Sequence, residues 1–203
     1  MKKTNIAVFV SGGGTNLQAI IDAQNNGTIL NGEIKLVVSS KPDVFALVRA
    51  QNAGIKSVVV DKKQLGSQDA FEKQLISVLE QNQIEMIVLA GFMSILSQNF
   101  TSRYHNKIIN IHPSLIPSFC GKGFYGLKVH QAVLDYGVKV TGATAHYVNE
   151  IPDGGQIILQ KAVYIEEGDT PEILQKRVME QAEWIIFPKA VEIVAKNILK
   201  TKE

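Results

Sequence analysis

The chain has 203 residues, of which 45% are hydrophobic and 20% are charged, and its formal net charge is +2. This composition is typical of a globular domain, so it excludes a disordered chain and gives no support to nucleic acid or an anionic membrane as the main partner. The single cysteine, Cys120, excludes an internal disulfide. The longest nearly apolar stretch, 86–96, is too short to cross a bilayer, and the N-terminus lacks the pattern of a signal peptide. We therefore expect a cytoplasmic protein.

The first half of the chain alternates short apolar runs with segments of helical period. Strands are predicted at 6–10, 34–38, 57–60, 86–90 and 108–111. Helices are predicted from Leu17 to Gly27, from Pro42 with an apolar side that includes 45–48, and from Asp69, a candidate N-cap. Strands that alternate with helices form βαβ units, so this half predicts a mostly parallel sheet.

The second half contains two longer β-leaning runs, 138–148 and 156–165, separated by a polar loop with two glycines. This pattern predicts an antiparallel strand pair added to the parallel sheet. A helix is predicted to begin at Thr170-Pro171, and the last helix to run towards Lys200 with a bend at Pro188. We therefore predict one α/β domain over 1–203: an open, mostly parallel Rossmann-like sheet, with helices on both faces and an antiparallel pair in its C-terminal part.

A glycine-rich turn, Ser-Gly-Gly-Gly-Thr-Asn at 11–16, separates the first predicted strand from the first helix. A helix N-terminus offers free N–H groups and a positive dipole end, and glycines let a phosphate approach the backbone. The turn lacks the Gly-Lys-Ser/Thr of a Walker loop, and Leu17 stands where a dinucleotide fingerprint has its third glycine. We therefore expect a single phosphate here; the alternative is a tight turn capped by Thr15.

Asn110 and His112 follow the fifth predicted strand, at the sheet edge where open α/β folds bind ligands. Strand alternation directs both side chains to one face. A carboxamide and an imidazole on one face can stabilise an oxyanion and act as general acid or base. The alternative is a buried structural histidine.

Asp153 precedes two glycines in the loop between the antiparallel strands. The position suits a turn residue, and it also suits a carboxylate that pairs with His112. The remaining histidines, at 105, 130 and 146, lack metal-ligand spacing, so we expect no metal site. Cys120 lies in a predicted mobile loop, and a catalytic thiol there is the less favoured alternative.

Together these segments resemble the phosphoribosylglycinamide formyltransferases, which are folate-dependent enzymes of purine synthesis. The similarity extends over almost the whole chain and rests on motifs at 11–20, 89–93 (Leu-Ala-Gly-Phe-Met) and 110–115 (Asn-Ile-His-Pro-Ser-Leu), and on the Asp-Gly-Gly element followed by 158–160. The motif at 110–115 with a distant aspartate is shared by the wider formyl-transfer family. The glycine turn followed by Thr15 and Asn16 indicates the glycinamide ribonucleotide branch.

The resemblance implies transfer of a formyl group from 10-formyltetrahydrofolate to the amine of 5-phosphoribosylglycinamide in de novo purine biosynthesis. It implies a phosphate-binding half at about 1–100 and a catalytic and folate-binding half at about 86–203. The catalytic residues would be Asn110, His112 and Asp153, and the phosphate-binding residues Gly14, Thr15 and Asn16. The folate-binding residues would be Gln68, Met93, Ser94, Ile95, Leu96 and Asn110.

Two features of the chain depart from the family pattern. Relatives often have arginine at the positions of Gln68 and Ser94, which leaves the folate contacts less defined. Glu183 matches a ribose-binding glutamate only if one residue is inserted before it. The resemblance also implies small-molecule substrates, no permanently bound cofactor, no metal, no nucleic-acid or membrane partner, and a monomer or homodimer.

Three alternatives stay open. A methionyl-tRNA formyltransferase or a formyltetrahydrofolate hydrolase shares the formyl chemistry, but each normally carries an additional domain, which 203 residues do not favour. A nucleotide sensor, which would retain the phosphate loop without the chemistry, belongs to another class. The presence of Asn110, His112 and Asp153 together argues against a sensor.

Overall fold

In the computed structural model, residues 2–202 are described, and the ends of the predicted domain, Met1 and Glu203, lie outside the described residues. The strands are β1 (Thr4–Val10), β2 (Gly32–Ser39), β3 (Ser57–Val59), β4 (Met86–Leu89), β5 (Ile108–His112), β6 (Val140–Tyr147) and β7 (Ile157–Tyr164). Within the described residues they form one seven-stranded sheet in the order β3-β2-β1-β4-β5-β6-β7. Strands β1 to β5 pair in parallel, whereas β5–β6 and β6–β7 pair antiparallel. The predicted fold class is confirmed.

Helices cover both faces of this sheet. They are α1 (Thr15–Asn25), α2 (Phe45–Asn52), α3 (Lys62–Leu65), α4 (Gln68–Gln81), α5 (Gln98–Arg103), α6 (Leu127–Tyr136), α7 (Pro171–Val178) and α8 (Trp184–Lys200). Alternate residues of β1 enter two separate apolar cores. Ile6 and Val8 belong to the core that includes α1 and α8 side chains, and Phe9 to the core that includes α4 and α5 side chains. Burial of apolar side chains on both faces explains why the parallel strands are continuous hydrophobic runs.

Some helix boundaries differ from the predicted ones. The helix expected from Pro42 begins at Phe45, because Asp43 has a φ of +55° and left-handed backbone cannot continue a helix. Of residues 45–48, only Ala46 is buried. The N-cap of α4 is Ser67 rather than Asp69: its hydroxyl accepts a hydrogen bond from the Ala70 N–H at 3.1 Å. Helices α3, α5 and α6 were not predicted.

A π-helical turn, Met179–Glu183, joins α7 to α8. A π turn closes its hydrogen bonds over one more residue than an α turn, so it takes up an inserted residue without ending the helix. The predicted match of Glu183 to a ribose-binding glutamate needs one residue inserted before Glu183, and a π turn can hold such a residue. Pro188 lies inside α8, and the bend predicted there stays a prediction. Within residues 2–202, no helix is long and apolar enough to span a membrane.

Candidate active site

The predicted catalytic residues converge on one face of β5. Asp153 lies on the loop after β6, and its Oδ2 is 3.4 Å from Nδ1 of His112. Its Oδ1 is 3.7 Å from Nε2 of His146. That nitrogen is in turn 3.2 Å from Nδ2 of Asn110. The structure therefore brings Asn110, His112 and Asp153 together, and the Asp153 carboxylate faces the imidazoles of His112 and His146.

His146 is the residue of this cluster that the sequence analysis missed. It was considered only as a metal ligand, and its spacing did not fit that role. In the observed register, His146 of β6 is the direct antiparallel partner of Asn110 in β5. Directly opposed residues of an antiparallel pair present their side chains on the same face. The pairing of β5 with β6 is thus the signal that identifies His146.

Asp153 serves both as a turn residue and as the partner of His112. Its φ of +57° is left-handed, a conformation that Asp and Asn tolerate better than most residues. The loop also approaches β6 closely, since a Cβ on Gly155 would lie 1.8 Å from the carbonyl oxygen of Tyr147. The carboxylate is held from the other side by the Gly121 N–H, which donates to Oδ2 at 2.9 Å.

His112 is buried, and both of its ring nitrogens face acceptors. Nε2 is 2.9 Å from the carbonyl oxygen of Phe119, and a carbonyl only accepts, so Nε2 carries a hydrogen. Nδ1 lies 3.4 Å from Oδ2 of the Asp153 carboxylate. Both ring nitrogens of His112 thus face groups within the protein, whereas Asn110 lines the neighbouring cleft. Burial, followed by the charge of His112, lowers the pKa of His130 to about 4, so His130 is neutral.

An apolar cleft opens beside this cluster, between the end of β4 and the loop that carries Asp153. Asn110, His146 and Asp153 form its polar side. Its apolar wall is formed by Leu89, Phe92, Ile95, Leu96, Val148, Ile151 and Pro152. Four of the six predicted folate-binding residues, Asn110 and 94–96, line this cleft. The combination of an apolar wall with a few convergent polar groups is typical of a small-molecule site.

Met93 and Gln68 lie next to the cleft rather than in it. Met93 lines a second cleft, which shares Ser94 with the first and is bordered by Lys41, Lys62, Lys63 and Asp61. Gln68 donates from Nε2 to the carbonyl of Ile95 at 3.0 Å, which holds the wall of the apolar cleft. The Lys62 ammonium donates to Gln68 Oε1 at 2.5 Å. A cation is therefore present beside Gln68, although Gln68 itself is neutral.

The glycine turn leaves the N-terminus of α1 open. Gly14 is the N-cap residue with a φ of +73°, no side chain caps the helix, and its first turn has no acidic residue. The predicted alternative of a Thr15 cap is therefore wrong. A Cβ on Gly14 would lie 2.7 Å from Cβ of Ala46, whereas Cβ atoms on Gly12 and Gly13 would meet nothing within 4 Å. Gly14 is thus required by packing, and the backbone before it faces open space.

Glu183 is the last residue of the π-helical turn and lies beside the glycine turn, where it contacts Asn16. Its Oε2 accepts a hydrogen bond from Asn16 Nδ2 at 2.7 Å. Burial raises the pKa of Glu183 to about 7, against the smaller lowering effect of Asn16. Oδ1 of Asn16 is buried and has no hydrogen-bond partner within the described part of the chain. Asn16 and Glu183 thus offer an unused acceptor and a titratable acid next to the open helix end.

Glu183→Gln should raise the melting temperature at about pH 8 more than at about pH 5. The folded-state pKa of about 7 lies above the ordinary value of 4.5, so the folded protein binds the proton more tightly. Stability is therefore greatest below the ordinary pKa and falls as the pH rises through the folded pKa. Glutamine has no proton to lose and retains an oxygen for Asn16. Thermal melts across this range measure the effect, and Glu180→Gln, at an exposed position of the same turn, is the control. A pH-independent difference would contradict the prediction.

Among residues 2–202, no group of three or more His, Cys, Asp or Glu side chains is placed to hold a metal ion. The acid–base and hydrogen-bonding groups of the site are therefore Asn110, His112, His146 and Asp153. In chemical terms they provide an amide donor and a carboxylate at the end of an apolar cleft. Such groups can stabilise a developing oxyanion and transfer a proton.

Comparison with known proteins places this geometry in context. Residues 4–191 match the formyl transferase family. The chain is 46% identical over 201 residues to the trifunctional purine biosynthetic protein adenosine-3 of Gallus gallus; this covers 99% of the chain but only 19% of that protein's length. It is 40% identical over 203 residues to the phosphoribosylglycinamide formyltransferase of Haemophilus influenzae, which covers 100% of the chain and 92% of that protein. Glycinamide ribonucleotide transformylase 1 from Symbiobacterium toebii superposes with a TM-score of 0.89 at 37% identity, covering 96% of this chain and 89% of that one.

Proposed function

Because the chain belongs to the formyl transferase family, we propose that it transfers the formyl group of 10-formyltetrahydrofolate to the amine of 5-phosphoribosylglycinamide in purine biosynthesis. The name of the Haemophilus influenzae relative supports phosphoribosylglycinamide as the acceptor of the formyl group, and the resemblance of the sequence motifs supports the folate as its donor. The observation that carries the proposal is the position of Asp153, which lies between His112 and His146 and borders the apolar cleft together with Asn110.

The reaction needs a group that stabilises an oxyanion and a group that moves a proton. The substrate amine attacks the formyl carbon, a C–N bond forms, and negative charge develops on the formyl oxygen. Asn110 Nδ2 would donate a hydrogen bond to that oxygen. Asp153 would then pass the amine proton, through water, to the folate nitrogen as its bond to the formyl carbon breaks. Holding the substrate amine next to the formyl carbon would supply a further part of the acceleration.

His112 would act first through Asp153. Its Nδ1 faces the Asp153 carboxylate, and its Nε2–H is directed to the Phe119 carbonyl oxygen. It would donate to the oxyanion only after the segment that contains Phe119 moves away. In the described state, therefore, Asn110 is the donor available to the formyl oxygen.

The phosphate of the ribonucleotide would bind at Gly14, Thr15 and Asn16, where the N–H groups at the start of α1 are uncapped. The unused Oδ1 of Asn16 and the acid of Glu183 are suited to ribose hydroxyls. The π-helical turn supports the ribose-binding role of Glu183. The match of Glu183 to the family's glutamate needs one inserted residue, and a π turn can hold one more residue than an α turn.

The folate would bind with its pterin in the apolar cleft against Ser94, Ile95 and Leu96, near Asn110. Its anionic glutamate tail would then extend past Met93 towards Lys62 and Lys63. Gln68 would contribute by holding the Ile95 carbonyl and the Lys62 ammonium. The lysines would thus supply the positive charge that Gln68 and Ser94 do not.

An absorbance assay for folate deformylation tests this function directly. Deformylated folate should accumulate when both 10-formyltetrahydrofolate and 5-phosphoribosylglycinamide are present, and not when the ribonucleotide is omitted. Deformylation by water alone would indicate the hydrolase, and formylation of methionyl-tRNA the tRNA enzyme. Ribonucleotide binding without any turnover would indicate the sensor.

Gly13→Val should raise the KM for the ribonucleotide by roughly tenfold or more, since each lost hydrogen bond to a charged group costs about 1.5–3 kcal/mol. A side chain at this position projects into open space beside the helix end, so folding should be preserved. The KM for the folate should stay within about twofold, because the apolar cleft is separate from the turn. Steady-state kinetics with each substrate varied measures both values. Equal losses for both substrates would show that the turn is only structural.

One domain over 1–203, a cytoplasmic location, and a monomer or homodimer stay predictions. The expectation of no permanently bound cofactor and of no nucleic-acid or membrane partner belongs with them. Formyl transfer between two small molecules requires none of these partners, which is what supports the expectation.

A further inference from the structure

We propose that His146 is a positioning residue that fixes the carboxamide of Asn110 with one N–H directed into the cleft. The use of that N–H in catalysis rests on the proposed function. The orientation of the carboxamide rests on the geometry alone. His146 is 1% exposed and lies opposite Asn110 across the β5–β6 pair. Its ring is therefore held in place by the sheet rather than by a loop.

The hydrogen bonds of His146 determine which of its nitrogens is an acceptor. Nδ1 is 2.8 Å from the carbonyl oxygen of Tyr147, and because that oxygen only accepts, Nδ1 carries a hydrogen. A neutral imidazole has a single N–H, so Nε2 is left with a lone pair. The Asn110 atom 3.2 Å away must then be the amide nitrogen, which donates to Nε2.

An amide nitrogen has two hydrogens, and His146 uses only one of them. Asn110 lines the apolar cleft, and the described residues provide no further side-chain hydrogen bond to its carboxamide. The second N–H is therefore available to a ligand in the cleft. If the carboxamide turned over, its oxygen would face Nε2, and an acceptor would replace this donor next to the formyl oxygen.

The orientation depends on His146 being neutral, because a protonated ring would donate from Nε2 and favour the reversed carboxamide. Burial lowers the pKa of His146; the Tyr147 carbonyl and the Asp153 carboxylate act in the opposite direction, and His112 acts in the same direction as burial. Glu150 is the other titratable group that lines the cleft with His146. The net lowering keeps the ring neutral around neutral pH and the Asn110 N–H directed into the cleft.

A competing explanation is that His146 acts through Asp153 instead. Nε2 is 3.7 Å from Asp153 Oδ1, beyond hydrogen-bond distance, whereas it is 3.2 Å from Asn110 Nδ2. In addition, an Nε2 that carries a lone pair has no hydrogen to give to a carboxylate. The geometry therefore favours Asn110 as the residue through which His146 acts.

A double-mutant cycle distinguishes the two routes. His146→Phe retains a ring of similar size without nitrogens, and it should lower kcat by about tenfold or more while both KM values stay within about twofold. In the Asn110→Ala background the same replacement should change kcat by less than about twofold, because the residue it positions is gone. His105→Phe, at an exposed position, is the control and should leave kcat unchanged. An undiminished loss in the Asn110→Ala background, or a loss abolished only by Asp153→Asn, would overturn the proposal.

Nuclear magnetic resonance of the ¹⁵N-labelled wild-type protein provides a test that needs neither turnover nor a folded His146 variant. At about pH 7, His146 should be the neutral tautomer with its hydrogen on Nδ1. The side-chain amide signals of Asn110, identified by their loss in Asn110→Ala, should shift as His146 is protonated at lower pH. A neutral tautomer with its hydrogen on Nε2 would overturn the proposal. Absence of formyl transfer by the wild-type protein would instead overturn the proposed function and leave the orientation to be decided by these spectra.

Discussion

Asn110→Ala should lower kcat for formyl transfer by roughly 10²–10³-fold, the usual effect of removing one oxyanion donor. The donor acts on charge that exists only in the transition state, so both KM values should stay close to those of the wild type. Steady-state kinetics measures the two parameters separately. Asn197→Ala, at an exposed position of α8, is the matched control.

His112 shares this oxyanion in the proposed mechanism. His112→Ala should therefore also lower kcat strongly, and the double variant should lose less than the product of the two single losses. The reason is that both side chains serve the same charge, His112 after its contact with the Phe119 carbonyl is broken. An Asn110→Ala or His112→Ala enzyme with near-normal kcat would remove that residue from the mechanism.

Asp153→Asn should leave the fold intact and reduce turnover by roughly 10²–10⁴-fold, the range found for general acid–base groups. Asparagine tolerates the left-handed backbone at this position, and its oxygen can still accept from the Gly121 N–H. It cannot carry a proton, and it replaces the charge that faces His112 by a neutral amide. A thermal melt and steady-state kinetics measure the two expectations.

The contrasting variant is Asp153→Val, which introduces a β-branched side chain at a φ of +57°. It should lower the melting temperature as well as the activity, because that backbone conformation is strained for valine. One thermal melt and one measurement of kcat for each variant separate the two roles of Asp153. Normal turnover in Asp153→Asn would leave it as a turn residue only.

The sheet was predictable because its parallel strands are buried on both faces and therefore appear as apolar runs. Helices α3 and α5 escaped prediction because segments of 4 and 6 residues are too short to show a helical period. Helix α6 is longer, but the predicted mobile loop around Cys120 lies before it, and no element was predicted over 127–136. The start of α2 was misplaced because a left-handed backbone at an aspartate gives no signal in an apolar pattern.

The site was predictable to the extent that it depends on single strands. Alternation along β5 was sufficient to place Asn110 and His112 on one face. The contact between His112 and Asp153 depends on how the loop after β6 folds back, and the bond from His112 to the Phe119 carbonyl involves a backbone group that no side-chain motif encodes. His146 depends on the register of two strands. Pairing between segments, rather than the type of any residue, was the missing information.

The π-helical turn at Met179–Glu183 also bears on how chains of this family are compared. Insertions are usually placed in loops, and an alignment that forbids a gap inside a helix would match the wrong residue to the acid at Glu183. A π turn closes its hydrogen bonds over one more residue than an α turn, so a chain can hold an additional residue between α7 and α8 without interrupting the helix. Two homologous chains can therefore differ in length inside a continuous helix and still present the same side chain at the same point in space.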